Sequence, residues 1–377
     1  MSQPLGLYVH IPFCRRRCDF CSFYLEVHHR AAADRFLAAL HTEMALHARQ
    51  DDVRGRPLSS VYFGGGTPTA LETSDLIGIL DGIRGHFEWS VDCEVTIEAH
   101  PATVVLKDLS ALADAGFTRM SFGAESMEDS ELAGIGRAAL AGETVAAVRQ
   151  ARKAGFADIN LDVMYGLPGQ SIASWNSTLE RCLDLTPAHL SCYALTVEPG
   201  TALAGDIEAR RCLPPDEALQ VAMDETAHVM LSAAGYERYE ISNYAKPGHM
   251  CRHNLLYWTH GDYLGLGPSA QSFLNGARFG KTASLNAYQA DLAAQRLPLS
   301  DHAVLSDQER LRDSVIFGLR LSRGVPTASL SAHGVNYGHG RTISRLRDGH
   351  LIEEVDRYTR LTARGRLYAD HVAEQLY

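Results

Sequence analysis

Cys14, Cys18 and Cys21 stand in the run LYVHIPFCRRRCDFCSF near the start of the chain, and thiolates at this spacing can serve a centre with four metal positions. An iron–sulfur cube normally takes four protein thiolates. Held by three, it keeps one iron open to a small molecule, much as a catalytic zinc keeps an exchangeable position. A zinc site and ordinary buried thiols are the other readings of the triplet. Zinc fingers usually bring a second Cys or His pair at a regular distance, whereas the next cysteine here is Cys93, alone. A disulfide is disfavoured. The chain has 377 residues and 8 cysteines, no basic-then-apolar leader before Leu7 and no apolar run long enough to cross a bilayer, so it reads as cytoplasmic, where thiols stay reduced. On spacing alone, the cube stands level with the zinc and structural readings taken together.

Such a centre needs a scaffold, and the length allows one large domain and one small one. Hydrophobic residues make up 46% and charged residues 21% of the chain, which is ordinary for a globular protein and argues against disorder. The formal net charge of −10 argues against a nucleic-acid surface, which normally needs a basic field. Arg15, Arg16 and Arg17 form a local basic patch inside the cysteine loop, and three adjacent charges in a loop are most simply solvated.

Short β-branched or aromatic runs alternate with helical stretches, the pattern of βα units and a mainly parallel sheet. Strands are expected at 7–11, 61–64, 94–99, 119–123, 158–164 and 190–197, with a seventh at 238–242. Helices are expected at 31–48, 74–86, 106–115, 142–154, 172–185 and 215–234. Gly116, Gly155 and Gly235 stand where a C′ glycine would end a helix. The fold class is therefore α/β, a parallel (β/α) partial barrel of the TIM type. Ligands in such folds bind at the C-terminal ends of strands. The cysteine loop follows the first strand, GGGTP follows the second, and Glu98 ends the third. After about residue 300 the texture becomes helical and closes with a small hairpin and a helix, which predicts a smaller C-terminal helical, winged-helix-like domain acting as a lid or packing lobe.

The glycine run Gly64, Gly65, Gly66 lets a ligand approach the backbone, although a tight turn alone would also account for it. Together with the cysteine run, TIEAHP at 96–101 and NLDVMYGLPGQ at 160–170, it resembles the radical S-adenosylmethionine superfamily. Within that superfamily the resemblance is to the oxygen-independent coproporphyrinogen III oxidase family and its HemW-type haem chaperone branch. It extends over nearly the whole chain, including YEISNYAKPG at 239–248 and HNLLYW at 253–258. The resemblance implies a [4Fe–4S] cube on Cys14, Cys18 and Cys21, with S-adenosylmethionine chelating the open iron. It further implies that Tyr8 and Phe20 pack around cluster and adenine, that Gly65, Gly66 and Thr67 line the methionine end, and that Glu98 accepts from ligand ammonium or ribose hydroxyls. Glu125, Arg137 and Asp162 fall at the outer ligand-contact positions. Read without the family, Glu98 and Asp162 could cap helices or join ion pairs, and Arg137 could be a solvated charge.

The sequence departs from the oxidases in one position that favours the chaperone branch: Phe23 replaces their fourth cysteine. Glu125 stands for a usual Gln, and Ala139 and Gln271 for usual histidines. A carboxylate in place of an amide removes two donors and adds charge, which Arg137 could compensate by pairing with Glu125. His253 opens the segment associated with haem in that branch, and an imidazole is a common axial ligand; Cys251 would point the same way in an extended segment and is the alternative ligand. Read without the family, His253 bridges backbone groups and the aromatics fill core. The divisions expected are 1–245 for the barrel, 246–300 for a connecting segment with HNLLYW, and 301–377 for the C-terminal domain. The implied function is haem binding and transfer to acceptor apoproteins, with an electron donor for the cluster. The alternative is radical oxidation of a tetrapyrrole, by propionate decarboxylation or anaerobic haem opening. The surface is compatible with a monomer or a homodimer.

Overall fold

The computed structural model describes residues 3–137 and 139–377. Six strands run parallel in chain order: β1 (Leu5–Ile11), β2 (Pro57–Gly65), β3 (Glu88–Ala99), β4 (Arg119–Glu125), β5 (Asp158–Tyr165) and β6 (His189–Ala194). Helices Arg30–His47, Thr73–His86, Leu106–Ala115, Ala141–Lys153 and Ile172–Asp184 make the crossovers. Both faces of β1 are covered, so it reads as an almost unbroken buried run, as a strand wrapped by helices must. The three expected C′ glycines all adopt positive φ, 100° at Gly116, 103° at Gly155 and 83° at Gly235. The next helix, Glu217–Ala233, begins two residues later than expected because Asp216 caps it, accepting from the Ala218 and Leu219 amides.

The expected seventh strand is instead two short ones, β7 (Glu237–Arg238) and β8 (Asn243–Ala245), with β8 antiparallel to β6. The chain reverses between them because the Glu240 carboxylate accepts from the Ser242 amide and the Asn243 side chain, closing a local turn. On the opposite edge, β9 (Tyr263–Leu266) pairs parallel with β1 and is followed by antiparallel β10 (Gln271–Leu274), β11 (Ala277–Lys281) and β12 (Leu299–Val304). The sheet order is β12-β11-β10-β9-β1-β2-β3-β4-β5-β6-β8-β7. The stretch read as a connection thus adds three strands and the start of a fourth to the sheet, between and beside the helices Arg252–Trp258 and Leu285–Ala293. A buried ion pair fixes it to the barrel: Lys281 Nζ lies 3.1 Å from Glu43 Oε1, while Tyr288 and the Gly267 amide donate to Glu43 Oε2.

One core runs from Leu5 to Leu292 and a second, smaller one joins Val315, Leu330, Ile343, Ile352, Leu361 and Leu376. Around the second core lie helices Asp307–Gly318, Thr327–Asn336 and Gly340–Asp348, the hairpin Ile352–Val355 with Tyr358–Leu361, and closing helices Ala363–Leu367 and Ala369–Leu376. Among the described residues no helix is long and apolar enough to cross a membrane.

Candidate functional site

The cysteine loop leaves the C-terminal end of β1 and is pinned back on itself: the Glu26 amide donates to Pro12 O and the His28 amide to Cys14 O. Arg15, Arg16 and Arg17 are all exposed, and Arg17 in addition ties this loop, donating to Cys21 O and Leu25 O. The glycine turn after β2 clamps the same loop, with the Gly66 amide donating to Ile11 O at 2.8 Å and the Thr67 amide to Phe13 O at 2.7 Å. Here glycine is required. Gly65 has φ 107°, and a Cβ on Gly66 would stand 2.6 Å from the Phe13 carbonyl oxygen.

The turn and the loop wall a cavity of about 420 Å³ at the C-terminal mouth of the barrel. Cys14, Cys18, Cys21, Phe20, Gly65, Gly66, Thr67, Glu98, Glu125, Arg137 and Asp162 all line it, and so does Phe23. Cys14 Sγ lies 3.3 Å from Thr67 Oγ1, and Arg137 donates to Cys18 Sγ at 3.5 Å. Phe20 backs onto a small apolar cluster with Ile135, Met164 and Leu203. Among the described residues no three His, Cys, Asp or Glu side chains converge on a single-ion position; thiolates that bind separate corners of a cube need not converge.

Three carboxylates face this cavity and each is held. Tyr62 donates to Glu98 at 2.7 Å, Tyr193 to Glu125 at 2.8 Å, and Ser121 and Asn160 to Asp162 at 2.9 and 2.8 Å. Burial pushes Glu98 up to about 7, with the Asp162 and Glu125 charges adding to the effect and the Tyr62 hydroxyl opposing it. Burial also raises Glu125, against the pull of Arg137, whose Nη2 stands 3.3 Å from Glu125 Oε1. The compensating pair expected for this unusual glutamate is formed. It uses a backbone irregularity: Glu125 has φ 62° at a shift in the β4–β5 register.

The donor set fits the implied group. Three thiols share one wall, and of the guanidiniums lining the cavity, Arg15, Arg16 and Arg137, only Arg137 pairs with one of its three carboxylates, so Glu98 and Asp162 have no cationic partner among the described residues and can face a ligand carrying sulfonium and ammonium charges. Cys14, Cys18 and Cys21 would hold the cluster, and Glu98, Glu125, Arg137 and Asp162 would face S-adenosylmethionine. When bound, that pair supplies one-electron cleavage of a carbon–sulfur bond.

Tyr8 is placed differently from expectation. It does not line the cavity but lies beneath it, its hydroxyl 3.2 Å from His10 Nδ1 and its ring stacked on Tyr62 and His253. His253 and Cys251 do not share an extended segment. Cys251 is extended and stands at the N-cap position of the helix Arg252–Trp258 without capping it, and the first amides of that helix and the Cys251 thiol are received by Glu94 of β3. Both residues are 1% exposed. His253 Nδ1 is 2.9 Å from Ser60 Oγ and Nε2 is 2.9 Å from Tyr257 Oη; burial brings the imidazole down to about 3. With both ring nitrogens engaged, His253 has no free lone pair for haem iron in this conformation, and Cys251 is equally enclosed. A second, polar cavity of about 260 Å³ adjoins the first, sharing Asp162 and Tyr193 and touching Cys251 and Asn254.

Sequence reading missed Tyr62, Ser121, Asn160, His189 and Tyr193. The signal was available: along β2, β4, β5 and β6 the inward positions alternate as Ser60/Tyr62, Ser121/Gly123, Asn160/Asp162 and His189/Ser191/Tyr193, a polar lining with period two.

The profile described as "Radical SAM superfamily" matches residues 8–182. The chain is 36% identical over 378 residues to "Heme chaperone HemW" of Mycobacterium tuberculosis, covering 100% of this chain and 95% of that protein. It is 31% identical over 373 residues to the Bacillus subtilis protein of the same name, covering 97% of each. Among solved structures it is similar to "Coproporphyrinogen III oxidase (HemN) from Escherichia coli", with a TM-score of 0.87 and 25% identity, covering 100% of this chain and 90% of that one. With the thiol triplet, the glycine clamp and full-length similarity in agreement, this chain belongs to the HemW family of radical S-adenosylmethionine proteins.

Proposed function

We propose that this protein is a haem chaperone of the cytoplasm, one that binds haem and passes it to acceptor apoproteins while carrying a [4Fe–4S] cluster and S-adenosylmethionine at the barrel mouth. The observation that carries the reading is full-length similarity to proteins named for that activity, joined to Phe23. That residue occupies the position of the oxidases' fourth cysteine, is 67% exposed and lies on the cavity rim. An aromatic side chain there offers flat apolar area to a tetrapyrrole and no thiolate to a metal. In this reading an electron donor reduces the cluster, and a second copy of the chain is a further partner.

The full-length likeness to a coproporphyrinogen oxidase structure favours a second reading, oxidation of a tetrapyrrole at the same cavity. One anaerobic experiment separates the two. Cluster-loaded protein is incubated with haem and an apo-acceptor, and in parallel with coproporphyrinogen and S-adenosylmethionine. Haem in the acceptor without porphyrin product supports the chaperone; stoichiometric vinyl product in the second arm, with no transfer in the first, replaces it by the enzyme.

A further inference from the structure

Two files of side chains run to the carboxylates of the cofactor cavity, the first of them from the helix Arg252–Trp258. The first starts at His253. Its ring lies 5.3 Å from that of Tyr62 at 29°, and Tyr8 stacks on both. Ser60, two residues before Tyr62 on the same face of β2, fixes the imidazole through Nδ1. The phenol of Tyr62 is therefore held from the side, and its hydroxyl is aimed at Glu98 Oε1.

The second file starts at the Tyr239 hydroxyl, which is 2.9 Å from His189 Nε2. His189 Nδ1 is 2.6 Å from Asn160 Oδ1, and Asn160 Nδ2 donates to Asp162 Oδ1 at 2.8 Å. Chemistry fixes the direction of every link. A carboxylate only accepts, so Asn160 turns its NH2 to Asp162 and its carbonyl to His189. That carbonyl must receive a proton, so His189 carries its hydrogen on Nδ1 and accepts at Nε2 from Tyr239. Burial, together with the Arg119 and His249 charges, lowers the pKa of His189 well below the usual imidazole range, which keeps this single neutral tautomer.

We propose that His253 is a positioning residue for S-adenosylmethionine, orienting Glu98 through Tyr62 while Tyr239, His189 and Asn160 orient Asp162 beside it, and that the HNLLYW segment acts on the cofactor site from beneath. This rests on the reading that the barrel-mouth cavity takes S-adenosylmethionine, and it is independent of whether haem is transferred. Asp162 without its donors loses its fixed orientation; Glu98 without the Tyr62 hydroxyl loses orientation too, and burial then favours its neutral form, which a cationic ligand binds less well.

The test uses Tyr62→Phe and Tyr239→Phe, each of which removes one oxygen and leaves the ring packing intact. S-adenosylmethionine affinity is measured by calorimetry on anaerobic, cluster-loaded protein, with haem affinity measured on the same preparations. Tyr62→Phe is expected to weaken S-adenosylmethionine binding by about tenfold, the size of one hydrogen bond to a charged group, and Tyr239→Phe by about threefold, since its hydroxyl bonds the neutral His189 imidazole rather than Asp162 itself, with haem affinity within about twofold of wild type in both. Tyr62→Phe should also move the pH dependence of that affinity upward, since Glu98 then faces Asp162 and Glu125 without its hydroxyl donor; a merely structural role would not move it. His253→Ala is expected to follow Tyr62→Phe. Unchanged S-adenosylmethionine affinity in either phenylalanine variant, or a His253→Ala protein that loses haem and keeps S-adenosylmethionine, overturns the proposal. Failure of the wild-type protein to transfer haem would overturn the chaperone reading and leave this one standing.

Discussion

Arg137 and Glu125 form a buried ion pair at 3.3 Å on the wall that also carries Cys18. Arg137 Nη2 donates to the Gly123 carbonyl as well, and a Cβ on Gly123 would stand 2.6 Å from that nitrogen. Removing one partner of such a pair leaves an uncompensated buried charge, at a cost of about 3–5 kcal/mol. Arg137→Leu should therefore lower the stability by that amount and abolish S-adenosylmethionine binding. Urea unfolding and calorimetry check both, and a variant as stable as wild type would show that the pair does not hold the wall.

Glu98 makes the site sensitive to pH. Its folded pKa, about 7, lies above the ordinary carboxyl value of 4.5 because it is buried beside Asp162 and Glu125, with Tyr62 and the Gly65 backbone opposing; Arg137 is committed to Glu125. Between those two values the folded state holds a proton that the unfolded state has lost, so this group's contribution to ligand-free stability falls as pH rises through that window. Binding of a cationic ligand follows the opposite course, since it favours the ionised carboxylate. S-adenosylmethionine affinity measured at constant ionic strength should rise from about pH 6 to about pH 8 and then flatten. A flat or falling profile contradicts the assignment of Glu98.

Gly66 and Gly78 make a matched pair of substitutions. Gly66→Ala would press a methyl against the Phe13 and Ile11 carbonyls, at 2.6 and 3.0 Å, and neither backbone group can yield without moving the cysteine loop. A loss of about 1–3 kcal/mol and reduced cluster loading are expected. Gly78 lies inside the helix Thr73–His86, and a methyl placed there would meet nothing within 4 Å, so Gly78→Ala should stabilise by about 0.5–1 kcal/mol. Thermal unfolding and iron content of the two variants give the comparison.

The βα alternation was legible because each crossover pairs a short apolar run with a helix of clear period, and the cysteine loop and GGGTP turn fell at strand ends where such folds bind ligands. The edge strands β9 to β12 were not legible. They follow a helix of only seven residues, are four to six residues long and reverse at turns that leave Ser269 and Asn275 at positive φ, so neither period two nor period 3.6 persists long enough to register. His253 was misplaced for a related reason. HNLLYW carries no capping residue of its own, and the acceptor that starts its helix, Glu94, comes from a strand about 160 residues away in sequence. The polar inward lining was readable as alternation but was hidden behind the stronger apolar signal of the outward faces.

Lys281 and Glu43 tie the edge strands to the first helix, both fully buried. Lys281→Met leaves Glu43 with the Tyr288 hydroxyl, the Gly267 amide and, at 3.9 Å, His47 Nε2, and should cost about 3–5 kcal/mol while leaving S-adenosylmethionine affinity unchanged at permissive temperature. Replacing both, Lys281→Met with Glu43→Leu, should recover most of the loss. Equal destabilisation in the single and double variants, seen by denaturant titration, would show that packing rather than the ion pair holds this edge.

The central claim is that Cys14, Cys18 and Cys21 carry a cube with one iron left for a ligand. Iron and acid-labile sulfide measured on anaerobically reconstituted protein test it most directly. About four of each per chain are expected, falling to near zero when the three cysteines are replaced by alanine. One zinc per chain with no sulfide would contradict it.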